Sequence, residues 1–217
     1  MIPLKRTYDE TDVYRQFSGA AWFYDVWAKL TESKAADMAL EWADLPGKAK
    51  ILEAAVGTGL FFERLVEKNP DGYTAGFDLS REMLGKAKDR LLPYKKNHYF
   101  DLNLGSVYNL RYGKNRFDYL FNNYMLDLLP EKDFIPILKS FHRILKPGGT
   151  LIICSMTFPE KWYQKHWLFL AEHFPDILNG CRPVSLVSPL EEAGFTIEKR
   201  ARVSQFTFPS EIIMSRA

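Results

Sequence analysis

The chain has 217 residues and a mass of 25.2 kDa, with 47% hydrophobic and 26% charged residues. That size and make-up suit one α/β domain, alone or with a small lid, and exclude a chain that is mainly disordered. Lys and Arg number 29 against 27 Asp and Glu, and the formal net charge of +2 gives no general electrostatic pull on nucleic acid.

Two cysteines, Cys154 and Cys181, cannot build a disulfide framework, so a reducing, cytoplasmic setting is expected. Met1 to Arg6 carries no apolar stretch of signal-peptide length, and no run approaches the ~20 apolar residues of a membrane span. There is no internal repeat or low-complexity segment, and no metal is expected.

Residues 8 to 45 read as helices rich in aromatics, ended by Pro46-Gly47. Ala49 to Ala54 reads as a buried strand and Leu60 to Lys68 as a helix, followed by the turn cluster Asn69-Pro70-Asp71-Gly72. Tyr73 to Phe77 reads as a second strand. Ser80 is placed as the N-cap of a helix that Pro93 stops. His98 to Asn103 and Phe117 to Phe121 read as the third and fourth strands. Glu131 to Leu145 reads as a helix closed by Lys146-Pro147-Gly148-Gly149, and Thr150 to Ser155 as the fifth strand. A short helix near Leu186 to Ala193 precedes strands near Phe195 to Arg200 and Gln205 to Met214. Strand–helix alternation at this spacing predicts an α/β, doubly wound, mostly parallel sheet with added N-terminal helices. Ligands of such sheets bind beyond the carboxyl ends of the strands.

Glu53-Ala54-Ala55-Val56-Gly57-Thr58-Gly59 follows the first strand and opens a helix. Glycine permits a tight turn close to a ligand, and the free N–H groups of the helix start aim at the same place. Read alone, it is also an ordinary strand-to-helix turn. Asp78 ends the second strand, 19 residues beyond Gly59, where an acid can accept both hydroxyls of a ribose. A dinucleotide turn would carry a third glycine where Phe62 stands. The carboxylate of Glu53 beside the turn suits an ammonium rather than a pyrophosphate. Ribose and ammonium together point to S-adenosylmethionine.

These residues resemble the class I S-adenosylmethionine-dependent methyltransferases over positions 49 to 155. Ile51 to Gly59 looks like the family's first motif, and Gly76-Phe77-Asp78-Leu79-Ser80-Arg81-Glu82-Met83-Leu84 like its second-strand motif. Gly105-Ser106-Val107, Leu110 and Phe117-Asp118 look like the stretch flanking the adenine, and Leu145 to Leu151 like the turn before the fifth strand. The family often has glycine at the position of Ala55 and aspartate at that of Ser106, whose hydroxyl can also accept a bond. The resemblance implies seven strands with the last antiparallel. It also implies a cofactor site of Glu53, Ala55, Gly57, Gly59, Asp78, Leu79, Met83, Ser106, Val107 and Asn122. Within the class the wording is similar to quinone-biosynthesis C-methyltransferases and to bacterial phosphatidylethanolamine N-methyltransferases. Both carry a Tyr-Asp pair near the cofactor, which Tyr24-Asp25 resembles; Tyr24 also reads as a core aromatic.

The implied activity is methyl transfer to a small or lipid-like acceptor, most readily a quinone-type molecule. The alternatives are a phospholipid headgroup amine and a non-catalytic, cofactor-binding subunit. A base is needed only where the acceptor must lose a proton. Asn122-Asn123-Tyr124-Met125-Leu126-Asp127 follows the fourth strand and departs from the Asn-Pro-Pro-Tyr signature of base-methylating enzymes, which with the charge balance removes nucleic acid as a partner. Asp127 reads either as an aid to proton transfer or as a solvated carboxylate at a helix start. Phe158 to Phe174 is strongly aromatic, and Trp162, His166 and His173 fall at near-helical spacing. His166 and His173 are candidate bases if that segment is a lid, and otherwise the edge of a packed helix. The chain thus divides into a helical cap (1–46), a cofactor-binding core (47–155), an aromatic lid insertion (156–184) and a C-terminal helix and strand pair (185–217). Aromatic flaps, and nine Lys or Arg against three acids over 81–116, also suit peripheral contact with a membrane.

Overall fold

A computed structural model describes residues 21–174, 178 and 180–217, without the side chains of residues 21–24. The helices expected before residue 21, and the side chains of Trp22, Phe23 and Tyr24, lie outside the described residues.

Two helices, α1 (Ala21–Thr31) and α2 (Ser33–Ala43), precede the sheet. Then come β1 (Lys50–Ala54), α3 (Leu60–Lys68), β2 (Tyr73–Asp78), α4 (Arg81–Arg90), β3 (Tyr99–Leu104) and β4 (Phe117–Asn123). α5 (Phe134–Ile144), β5 (Leu145–Met156), α6 (Lys165–His173), α7 (Val187–Glu192), β6 (Thr196–Gln205) and β7 (Phe208–Arg216) complete the order. The seven strands lie in the order β3-β2-β1-β4-β5-β7-β6, and only β7 runs antiparallel to its neighbours. The chain reverses direction of winding between β1 and β4, which opens a crevice at their carboxyl ends.

β1, β2, β5 and β7 are buried along most of their length because both faces of the inner sheet are covered. Successive side chains alternate between faces: Leu52, Leu120, Leu151 and Ile213 pack under α5, while Ile51, Phe121, Ile152 and Ile212 pack under α2 and α3. β5 begins five residues earlier than its apolar core. Its Pro-Gly-Gly stretch is drawn into the sheet beside the end of β7, where Gly148 N–H donates to Ala217 O at 2.8 Å and Ala217 N–H to Gly149 O at 3.0 Å. β6, the exposed edge, carries Glu198, Lys199, Arg200 and Arg202, charges that discourage pairing with another strand.

The segment from 205 to 214 is not one strand. Phe206 and Thr207 turn the chain between β6 and β7 with φ of 46° and 67°, the left-handed values of a type I′ hairpin. Neither residue favours that region, and Phe206 is 72% exposed with little packing to lose. Phe206→Asn is therefore expected to stabilise the fold by about 0.5–1 kcal/mol, read as a higher urea midpoint at unchanged slope. A lower midpoint would show that the ring contributes more than the strain costs.

Two aromatic segments meet above the carboxyl end of the sheet. Trp27 of α1 and Trp167 of α6 pack edge to face at 5.8 Å, and both rest on Phe208, at 6.0 and 5.2 Å. The hairpin tip fastens both: Gln205 bonds to Lys29 O, Ser33 Oγ and Lys34 N–H at the α1–α2 junction. Thr207 Oγ1 accepts from Trp167 Nε1 at 3.0 Å. No described helix is long and apolar enough to cross a membrane.

Candidate active site

The crevice holds two cavities with a common wall. The first is lined by Ala55, Gly57, Asp78, Leu79, Ser80, Met83, Ser106 and Val107, with Asn123, Tyr124 and Met125 closing it. The second is lined by Lys29, Glu32, Glu53, Val56, Thr58, Phe61 and Arg64 among others. Ala55, Asn123 and Tyr124 belong to both. Ala55 and Tyr124 both have positive φ, 63° and 49°. Such strain in side-chain-bearing residues clusters at functional sites.

Asp78 sits at the end of β2 and is almost fully buried. Its Oδ2 accepts from Gly57 N–H and its Oδ1 from Ser80 N–H, each at 2.8 Å. Burial raises its carboxyl above the usual range, and the amides of Ser80, Gly57 and Leu79 oppose that rise. Ser80 takes the capping role, its Oγ accepting from Met83 N–H at 3.3 Å, which leaves Asp78 to the cavity. Ser106 likewise accepts from Tyr108 N–H at 3.1 Å while facing the cavity.

Glu53 projects into the second cavity from β1. Its Oε1 lies 3.5 Å from Asn123 Nδ2, and its Oε2 has no partner although it is buried. Burial pushes the carboxyl well up. Glu32, between α1 and α2, is a second buried carboxyl on the same cavity. Burial, then the negative charge of Asp127, lift it to about 8, against a bond from the Trp27 side chain.

The cap is clasped to the glycine turn. Thr58 Oγ1 donates to Asp25 Oδ1, Arg90 Nη2 meets Asp25 Oδ2 at 2.6 Å, and Arg90 Nε donates to Thr58 O at 3.0 Å. Tyr24 falls in α1 beside this clasp, but its side chain lies outside the described residues.

Five expected residues stand elsewhere. Asn122 lines neither cavity: β4 alternation turns it into the core, where Nδ2 donates to Ala54 O at 3.1 Å, and Asn123 takes the wall. Asp127 is buried rather than solvated and accepts from Met156 N–H at 2.9 Å. His166 and His173 are exposed, bonded to Tyr163 O and Phe169 O, and line neither cavity. Gly59 lines neither either. Its φ of 83° starts α3, and a Cβ there would stand 2.9 Å from that of Ala87. The sequence does not single out Glu32, Asn123 or Tyr124, and only Asn123 and Tyr124 carry a signal, their place at the carboxyl end of β4.

The first cavity fits a nucleoside, with an acid for hydroxyls, a serine hydroxyl and apolar Met83 and Val107 walls for a ring. The orphaned Oε2 of Glu53 fits a cationic amine. S-adenosylmethionine carries both groups, so the donor set suits it. Among the described residues no cluster suits a metal ion.

Comparison with known proteins agrees. Residues 51–149 match the methyltransferase domain family. The demethylmenaquinone methyltransferase of Bacillus licheniformis is 28% identical over 139 residues, 64% of this chain and 58% of that protein. The arsenite methyltransferase of Halobacterium salinarum is 27% identical over 160 residues, 69% of this chain and 38% of that one. The chain thus spans less than two thirds of the length of these relatives. In three dimensions it resembles the 1,6-didemethyltoxoflavin-N1-methyltransferase of Burkholderia thailandensis, solved with S-adenosylhomocysteine. The TM-score is 0.74 at 18% identity, covering 100% of this chain and 92% of the other. Sheet order, cavity chemistry and family match converge: the chain has the fold of the class I S-adenosylmethionine-dependent methyltransferases, and its residues 51–149 match the methyltransferase domain family.

Proposed function

We propose that the protein transfers a methyl group from S-adenosylmethionine to a quinone-type acceptor held in the second cavity. The wall shared by the two cavities carries this reading: a cofactor whose nucleoside fills the first cavity and whose amine reaches past that wall to Glu53 then stands beside an acceptor in the second. Ala28, Ala36, Val56, Leu60 and Phe61 give the acceptor side an apolar lining. The resemblance to a demethylmenaquinone methyltransferase points the same way. The cofactor supplies a methyl group on a positively charged sulfur. Asp78 orients the ribose, Met83 and Val107 flank the adenine, and Glu53 with Asn123 holds the amine. Exposed Val26, Leu30, Trp162, Phe169 and Phe174 suit approach to a membrane that carries such an acceptor.

Methyl-labelled S-adenosylmethionine, incubated with a prenylated naphthohydroquinone or with phosphatidylethanolamine vesicles, tests the reading. Label in the extracted quinone is the expected result. Label in the phospholipid moves the assignment to a headgroup amine, and label in neither overturns both.

A further inference from the structure

Asp127, His166 and His173, the bases that the sequence suggests, all miss the acceptor cavity, yet a quinol acceptor must shed a proton. We propose that Glu32 is the general base of the reaction, taking the proton of an acceptor hydroxyl in the second cavity. This rests on the quinone-type reading above.

The geometry is specific. Glu32 closes the gap between α1 and α2, with its backbone N–H donated to Ala28 O at 2.9 Å and its carbonyl accepting from Ala36 N–H at 3.0 Å. Both ends of the residue are thus fixed, and its side chain lines the cavity on which Glu53, Ala55, Asn123 and Tyr124 also open. A carboxylate is a useful base only where nothing neutralises it. Glu32 makes no ion pair among the described residues.

The groups around it explain its proton affinity. Lys29 of α1 lines the same cavity but is exposed, and Arg64 of α3 is engaged with Asp37 at 2.6 Å. Trp27 bonds to the Glu32 side chain. Ser33, Thr58, Glu53, Asn123 and Tyr124 share the cavity lining with it, and Asp127 and Cys154 interact with it electrostatically. Burial, then the negative charge of Asp127, hold the carboxyl at about 8, within reach of a phenolic proton at mildly alkaline pH. Tyr124, pushed well above its usual range and bonded to Ser210 Oγ at 2.7 Å, stays protonated there and does not compete.

The step balances. The carboxylate takes the O–H proton, and the electron pair left on the acceptor forms the bond to the methyl carbon. The pair of the broken carbon–sulfur bond stays with sulfur and cancels its charge. For a ring-carbon acceptor, the ring hydrogen then leaves as a proton to water while Glu32 returns its proton to the oxygen. One proton is released per turnover, and no oxidant or reductant is needed.

The test compares wild-type protein, E32Q and E32D on the prenylated naphthohydroquinone across pH 6 to 10, with S-adenosylhomocysteine affinity measured alongside. Wild-type kcat/KM should rise with unit slope and level off near pH 8. E32Q should lose about 10²- to 10⁴-fold in kcat and lose that limb, while its affinity for S-adenosylhomocysteine stays within about threefold. E32D should keep the limb, displaced, at reduced rate. If E32Q does not fold, E32D decides, and a limb unmoved from wild type overturns the proposal. Wild-type transfer to the quinol with E32Q equally active overturns Glu32 alone. Wild-type label only on an amine, or on neither compound, overturns both this proposal and the quinone reading.

Discussion

Asp78→Asn is expected to weaken S-adenosylhomocysteine binding about 100-fold, measured by calorimetry, because two charge-assisted bonds at roughly 1.5–3 kcal/mol each are at stake. The side chain keeps its shape, so the effect isolates charge and acceptor count. Both carboxylate oxygens already accept from backbone amides, of Gly57 and Ser80. An amide offers only one acceptor atom, so one of those two N–H groups would face an NH₂ and lose its partner. The glycine turn and the start of α4 are then no longer tied through one residue, and the cavity loses its negative wall. The variant should also be less stable, since a buried donor left unsatisfied costs about 1–3 kcal/mol. A calorimetric Kd within threefold of wild type would remove Asp78 from the ribose role.

Phe62→Ala is expected to destabilise the fold by about 3–5 kcal/mol, a large share of the ~5–15 kcal/mol typical of a domain. Phe62 is fully buried among Val66, Leu84, Ala87 and Leu91, with Phe100 edge-on at 6.3 Å. It occupies the position at which a dinucleotide-binding turn carries its third glycine. The close helix-to-sheet approach is made here from the other side: a Cβ on Gly76 of β2 would stand 2.7 Å from the Phe62 ring and 2.5 Å from Val56. The large residue is on the helix and the small one on the strand. Removing the ring leaves a void that α3 and α4 cannot close without moving Val56 and the glycine turn. Urea unfolding gives the number, and a loss below about 1 kcal/mol would mean that the site collapses freely.

The parts of the site made from residues adjacent in the chain are legible in the amino-acid sequence alone. Glu53 to Gly57, Asp78 to Met83 and Ser106-Val107 each lie on one strand end, so their spacing carries their geometry. The order and approximate extent of the strands follow from apolar runs bounded by Gly, Pro and Asn. Other features are hidden for definite reasons. β4 is buried on both faces, so nothing in Asn122-Asn123 tells which asparagine meets the crevice. Phe206-Thr207 turns without any Gly, Asn or Asp to announce it. The spacing of His166 and His173 on α6 is helical, but His166 is bonded to Tyr163 O in the turn before the helix and His173 to Phe169 O within it, both on the exposed side. Glu32 looks like any helix glutamate until residues nearly a hundred positions away, around Tyr124 and Asp127, surround it.

The bonds from Gln205 to Ser33 and Lys34 join residues 172 and 171 positions apart in the chain. Loop closure over such a span is entropically costly and forms late in folding. During synthesis, α1 and α2 emerge before the sheet and the β6–β7 hairpin after the other five strands. The two helical covers therefore have no common anchor until the hairpin leaves the ribosome. A nascent chain already contains the glycine turn and Asp78 before then, and so holds most of the lining of the first cavity before the covers of the second are fastened. Cofactor captured at that stage would act as a template on which the covers close, stabilising the folded state in proportion to the logarithm of its concentration.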